Sequence, residues 1–171
     1  LDLAGGTGDI AILMARAVGP TGRVLLTDIN AAMLRAGRDR LLDEGVVANV
    51  DCLQVDAQAI PLPDRSMDLV TIAFGLRNVN DVPRALNEFH RVLKPGGRLV
   101  ICEFSTPTLR PFRTVYMEYL MKALPAVATK VSSNPDAYVY LAESIRAWPD
   151  QFELGELIRD AGFSGVRWQN L

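Results

Sequence analysis

Over its first hundred residues the chain alternates short apolar runs with longer stretches whose apolar residues recur every three or four positions. This is the pattern of βαβ units in a parallel sheet. Leu1-Asp2-Leu3 reads as the tail of a buried strand entering a glycine turn. Asp9 is expected to cap a helix reaching about Val18, with Ile10, Leu13, Met14 and Ala17 on one face. Gly19-Pro20-Thr21-Gly22 stops it, and a strand from Arg23 to Thr27 ends at Asp28. The next helix is predicted from Ala31 to Glu44, with Met33, Leu34, Leu41 and Leu42 apolar and Gly45 closing it. Strands follow at Val50 to Val55, ending at Asp56, and at Met67 to Phe74. A helix from Val82 to Leu93 carries Leu86, Phe89 and Leu93 on one side. The breaker Lys94-Pro95-Gly96-Gly97 separates it from a fifth strand, Arg98 to Phe104. The expected fold is α/β, a doubly wound and mostly parallel sheet whose ligand crevice lies beyond the carboxyl ends of the strands.

From Pro111 to about Val131 the pattern changes. Phe112, Val115, Tyr116, Tyr119, Leu120 and Ala123 fall at helical spacing, and Ser132 to Asp136 reads as a loop. Helices are expected from Tyr138 to Ala147 and from Phe152 to Ala161, then a strand from Val166 to Leu171. The reading is one domain over 1–171, with a lid or substrate segment at about 107–150. Because Leu1 opens inside a strand, upstream sequence is expected to precede it.

Composition narrows the class. Apolar residues make up 49% and charged residues 22%, which is globular rather than disordered. A net charge of −2 leaves no broad basic surface for a phosphate backbone, so no nucleic-acid partner is expected. Cys52 and Cys102, each in an apolar run, are expected to be buried free thiols, and with the single histidine, His90, they cannot assemble a metal site. No apolar run approaches membrane-spanning length. A cytoplasmic protein is expected, peripheral at most to the inner membrane face.

The candidate chemistry begins at Gly5-Gly6-Thr7-Gly8. Glycines there let the backbone approach a ligand, and the following helix offers free N–H donors. Such a loop suits a phosphate or an amino-acid carboxylate equally, and Gly6-Thr7-Gly8 with Ala11 even satisfies a dinucleotide pattern. Asp28, 20 residues beyond Gly8, can accept hydrogen bonds from ribose hydroxyls, or serve as a cap before Ala31. Asp56-Ala57 ends the third strand in the same crevice, where a carboxylate can meet an adenine amino group. NAD and S-adenosylmethionine would both be served by the glycine loop and Asp28, and the balance tips at the third and fourth strands, beginning with Asp56-Ala57.

Segments spread along the chain carry a resemblance. Leu1 to Asp9, Thr27-Asp28-Ile29-Asn30, Phe74-Gly75-Leu76-Arg77-Asn78-Val79, Tyr140-Leu141-Ala142-Glu143-Ser144-Ile145 and Ala161-Gly162-Phe163 through Asn170-Leu171 are similar to the ubiquinone/menaquinone biosynthesis C-methyltransferase family of class I S-adenosylmethionine-dependent methyltransferases. The resemblance covers the chain in order. It implies a Rossmann-like fold, S-adenosylmethionine as cofactor, and methyl transfer to a ring carbon of a polyprenylated quinol, either a demethylmenaquinol or the equivalent ubiquinol precursor. The implied cofactor residues are the glycine loop with Thr7, then Asp28, Asp56, Ala57 and the backbone near Ala73, where many members carry serine. It further implies a helical segment before Leu1 and a final strand after Leu171, which this sequence lacks, so the fold is expected to be truncated at both ends.

A ring carbon becomes nucleophilic only when the neighbouring hydroxyl loses its proton. Arg77, just past the fourth strand, is the candidate for stabilising that phenolate. A guanidinium rarely acts as a base, and a structural salt bridge to a loop carboxylate is the competing reading. Asn78, Tyr138 and Tyr140 are candidates for holding substrate, and Glu103 is a weaker one. His90, on the helix away from the strand ends, is expected at the surface without a catalytic role. The aromatic stripe of the lid reads as core or, in a family that acts on isoprenoid quinols, as a partly apolar cover that meets the tail or a membrane surface. The competing functions are a nicotinamide-dependent oxidoreductase, which leaves the Gly75–Asn78 and Tyr140–Ile145 segments unexplained, and a cofactor-binding fragment without activity.

Overall fold

The computed structural model describes residues 1–107, 110–119 and 135–170. It divides into two compact units, Leu1–Glu103 with Ala161–Phe163, and Phe104–Asp160 with Ser164–Leu171. The first unit contains β1 (Asp2–Leu3), α1 (Asp9–Val18), β2 (Val24–Asp28), α2 (Ala31–Asp43), β3 (Val50–Gln54), β4 (Met67–Ala73), a 3-10 turn (Leu76–Asn78), α3 (Val82–Val92) and β5 (Leu93–Cys102). The second contains α4 (Arg110–Glu118), α5 (Pro135–Ala147) and α6 (Gln151–Asp160).

The sheet is parallel, in the order β3-β2-β1-β4-β5. The chain winds outward from β1 to β3, returns to β4, and then winds the other way. Right-handed crossovers therefore place α1 and α2 on one face and α3 on the other. Ala11, Ile12 and Ala15 of α1, Leu34 and Leu41 of α2, and Val24, Leu26 and Val50 of the sheet form one buried cluster. On α3, Ala85, Leu86, Phe89 and Val92 are fully buried at a spacing of three or four, the stripe of a half-buried helix.

Several expectations change in detail. The buried face of α1 centres on the small residues Ala11 and Ala15 with Ile12; of the expected Ile10, Leu13, Met14 and Ala17, Met14 packs partly buried against the core and Ile10 is half-buried, whereas Leu13 (61%) and Ala17 are exposed. Alanines let the helix axis approach the sheet, which hydrophobicity alone does not select. Asp9 is the first helical residue rather than the cap, a position held by Gly8 at φ 86°. Asn30, not Asp28, caps α2, its Oδ1 accepting the Ala32 and Met33 N–H groups.

β5 begins at Leu93 rather than Arg98. Met67 pairs with Leu93, the chain bulges through Lys94–Gly97, and pairing resumes between Leu69 and Arg98. Cys52 is exposed on the edge strand β3 and Cys102 is half-buried at the end of β5, so neither is a core thiol. His90 is exposed as expected, packed edge-on against Phe163 at 5.1 Å.

In the second unit, Val166–Asn170 forms no strand. Trp168 instead packs edge-on against Phe152, 5.1 Å between centroids, and covers Gly155. Of the expected lid, residues 108–109 and 120–134 lie outside the described residues, as does Leu171. No described helix is long and apolar enough to cross a membrane.

Phe89 gives the core a direct check. Phe89→Ala empties a fully buried site on α3 and is expected to lower unfolding free energy by about 3–5 kcal/mol, measured by urea denaturation. A loss under about 1 kcal/mol would mean that α3 is not packed as described.

Candidate active site

The carboxyl ends of β1, β2, β3 and β4 meet where the winding reverses, the place a doubly wound sheet opens a crevice. The glycine loop after β1 fills its centre. A Cβ at Gly5 would lie 2.4 Å from Leu26 Cδ1 and 2.6 Å from Asp2 Oδ2, so only glycine fits. Gly8, at φ 86°, then turns the chain into α1. Gly75 brings the loop after β4 alongside, since a Cβ there would meet Ala4 Cβ at 2.4 Å.

The loop uses its own amides. Gly5 N–H donates to the Thr27 carbonyl (2.8 Å), Gly8 N–H to the Gly5 carbonyl (2.9 Å) and Gly6 N–H to Asp28 Oδ2 (3.0 Å). A pyrophosphate cradle would need those donors aimed at the ligand. Asp28, 9% exposed, accepts a second backbone hydrogen bond at Oδ1 from Asn30 N–H (2.8 Å). Each oxygen keeps a lone pair, so the carboxylate can still receive a hydroxyl. Val55 N–H to the Asp28 carbonyl (3.1 Å) and Gln54 Nε2 to the Ile29 carbonyl (2.8 Å) tie the ends of β2 and β3 together.

Asp56 follows β3, its Oδ1 accepting Gln58 N–H (2.9 Å) and Gln58 Nε2 (3.1 Å). Those bonds hold its carboxyl below the usual carboxylate range. Ala57 and Ala73 are half-buried at the ends of their strands. Beyond Ala73 the backbone turns at Phe74 (φ 55°) into the 3-10 turn that carries Arg77 and the exposed Asn78. Arg77 donates from Nη1 to Glu103 Oε1 (2.6 Å) and to the Phe74 carbonyl (2.7 Å), and its backbone N–H donates to Glu103 Oε2 (3.3 Å). The pair is buried, with side chains 9% and 2% exposed. A salt bridge is therefore present, to a carboxylate just beyond β5. Tyr138 and Tyr140 stand exposed on α5 in the other unit.

Sequence reasoning missed Asp2. It is fully buried, its Oδ1 accepts the Thr71 hydroxyl (2.7 Å), and its Oδ2 has no partner beside the glycine loop. Burial pushes its carboxyl up, against the Thr71 hydrogen bond. The missed signal was an acidic residue inside an apolar strand tail. Ile29, next to Asp28, and Met33, whose methyl end lies near Gly6, are exposed apolar side chains that sequence reasoning did not single out for the site.

A doubly wound sheet with a glycine loop after its central strand and carboxylates closing the next two defines a Rossmann-like nucleoside-cofactor domain. Asp28 and Asp56 add carboxylate acceptors at the ends of the next two strands, which suit a ribose diol and an aminopurine. The chain belongs to the ubiE/COQ5 methyltransferase family, whose profile matches residues 1–171. It is 50% identical over 171 residues to the ubiquinone/menaquinone biosynthesis C-methyltransferase UbiE of Escherichia coli, covering all of this chain and 68% of that protein. The UbiE of Shigella boydii matches equally. Among solved structures, a SAM-dependent methyltransferase from Aquifex aeolicus shares the fold at TM-score 0.66 and 23% identity, over 94% of this chain and 69% of that one. An arsenic(III) S-adenosylmethionine methyltransferase from Chlamydomonas reinhardtii does so at TM-score 0.67 and 21% identity, over 94% and 50%. The protein is thus an S-adenosylmethionine-dependent C-methyltransferase, and the nicotinamide alternative is not favoured.

Asp28→Ala is expected to weaken S-adenosylhomocysteine binding by more than about tenfold in calorimetry; an unchanged affinity would remove Asp28 from the site. Asp2 gives a pH test. Its folded carboxyl is raised, so its favourable contribution is present below its unfolded value and lost as pH rises through the folded one. Asp2→Asn should therefore gain stability relative to the parent as pH rises above the ordinary carboxylate range, read from urea midpoints at each pH. A constant difference would show that Asp2 is not raised.

Proposed function

We propose that the protein methylates a ring carbon of a polyprenylated quinol in menaquinone or ubiquinone biosynthesis, with Arg77 beside the reacting hydroxyl. The observation that carries this is the buried Arg77–Glu103 pair in the family's Gly75–Asn78 segment, on a loop packed against the cofactor loop. The 50% identity to proteins named for that pathway supports the substrate class.

S-adenosylmethionine, when bound, would supply a sulfonium methyl group for in-line transfer to the ring carbon, with the thioether as leaving group and the ring carbon's proton lost to solvent. The protein mostly positions the two partners, an effect that can supply about 7–11 kcal/mol of the barrier. In this reading the Gly5–Gly8 loop with Thr7 takes the amino-acid end, Asp28 the ribose hydroxyls, Asp56 and Ala57 the base, and Ala73 contributes its backbone. Alanine at 73 offers no hydroxyl where many relatives have serine. Ion pairing leaves Arg77 nearly neutral as a unit with Glu103, so its contribution is a directed N–H donor that favours the phenolate rather than a broad positive field. Asn78, next to Arg77, would orient the quinol.

Helix α4 exposes Phe112 and Val115, and Tyr119 just past its end is exposed as well, at spacings of three and four and beside the cationic Arg113. Such a face supports contact with an isoprenoid tail or the surface of the inner membrane, from the cytoplasmic side.

The test offers demethylmenaquinol and the ubiquinol precursor with S-adenosylmethionine and resolves products by mass spectrometry. Methylation of at least one ring is expected, and methylation of neither would sink the substrate assignment. Arg77→Ala should lower turnover by about 100-fold or more while cofactor affinity changes less than about threefold. The reverse split would make Arg77 a cofactor or structural residue.

A further inference from the structure

Gln58 joins the loop after β3 to the start of α3. Its side-chain Oε1 accepts the backbone N–H of Asp81 (3.0 Å), and its carbonyl accepts Arg84 Nε (3.0 Å). Asp81 in turn caps α3, its Oδ1 accepting Arg84 N–H (3.0 Å). On the other side, Gln58 N–H and Nε2 both donate to Asp56 Oδ1, and Nε2 only grazes Oδ2 at 3.5 Å.

These contacts settle which way the amide points. The Asp81 N–H requires an acceptor and the Asp56 carboxylate requires a donor, so Oε1 faces α3 and Nε2 faces Asp56. Oδ1 of Asp56 then receives two hydrogen bonds, which occupy both its lone pairs. Oδ2, with only the long Nε2 contact, is left as the acceptor with lone pairs to spare, and the carboxylate that carries it is held by a residue tied to the start of a helix. The carboxylate stays ionised, since the Gln58 bonds hold its carboxyl low.

An ionised acceptor with a fixed direction discriminates between bases. A purine with an exocyclic amino group donates to it, whereas one with a carbonyl at the same position sets oxygen against oxygen. We propose that Gln58 is a positioning residue that sets base specificity: by occupying Oδ1 of Asp56 it presents Oδ2 as the acceptor that selects an aminopurine over an oxopurine. This rests on Asp56 facing the base of the cofactor, as proposed above.

The test is calorimetric and needs no turnover. S-adenosylhomocysteine and S-inosylhomocysteine are titrated into the parent protein, Asp56→Asn, Gln58→Glu and Gln58→Leu. The parent should prefer the adenosyl compound by about tenfold or more. Gln58→Glu keeps an acceptor for Asp81 N–H, and with it the tie to α3, but loses the donor to Asp56. It should narrow the preference about fivefold, with the inosyl affinity unchanged within about twofold. Gln58→Leu, which also loses the tie to α3, should narrow it as well and carries the comparison if the glutamate variant does not fold. A purely structural Gln58 predicts that Gln58→Glu behaves as the parent, or that both ligands weaken equally; either result overturns the inference. If Asp56→Asn leaves the preference intact, the assignment of Asp56 to the base fails and the inference falls with it. If Asp56→Asn abolishes the preference while both Gln58 variants keep it, Asp56 stands and only the role of Gln58 is overturned.

Discussion

Close approach of the glycine loop to β2 governs the site. Gly5 sits where any side chain would collide with Leu26 and Asp2, and its N–H bonds to the Thr27 carbonyl. That contact puts Gly6 N–H within reach of Asp28 Oδ2, so loop and carboxylate form one unit before any ligand arrives. α2 closes on the same place: a Cβ at Gly37 would lie 3.0 Å from the Gly6 carbonyl. Widening the loop by a methyl group would displace the acceptor, the helix and the entry to α1 together. A close-packed interior transmits such a change instead of absorbing it.

The crevice is built from acceptors whose orientation is fixed by neighbours. Asp28 is held by two backbone amides and Asp56 by both nitrogens of Gln58. Arg77 is held by Glu103 and the Phe74 carbonyl. Burying an ion pair costs desolvation that its attraction only partly offsets, so the Arg77–Glu103 pair is weak evidence of stability design. It does hold a planar donor in one direction, which suits chemistry governed by positioning. Arg91 does comparable work outside the crevice, bonding the Ile60 and Leu62 carbonyls, Asp64 and Glu88 to hold the turn-rich segment against α3.

Much of the first unit was legible because period and punctuation agree along it. Glycine and proline clusters punctuate the chain at several element ends, and short apolar runs sit between amphipathic helices, so five strands and three helices emerge with most ends within a few residues. Errors arose where two readings had equal local support. Leu13 is as apolar as any core residue, yet α1 turns its alanines inward because the helix lies close to the sheet. The Lys94–Gly97 breaker reads as a stop, yet Leu93 already pairs with Met67 before the bulge. Val166–Asn170 has strand-like composition but no strand partner among the described residues, and Trp168 packs on Phe152.

By itself the sequence determined the alternation that makes a doubly wound sheet, the place of the glycine loop within it, and the family, through segments as distant as Gly75–Asn78 and Tyr140–Ile145. These are local patterns, and local sequence carries them whole. Tertiary structure decided the partners: Gln58 for Asp56, Glu103 for Arg77, the Gly6 amide for Asp28, and Thr71 for the buried Asp2. A side chain's type announces what it can donate or accept, but its partner depends on which strand ends the fold brings together. The glycine loop alone allowed a dinucleotide or an amino-acid cofactor. Only its folded hydrogen bonds show that the amides of Gly5, Gly6 and Gly8 are directed inward.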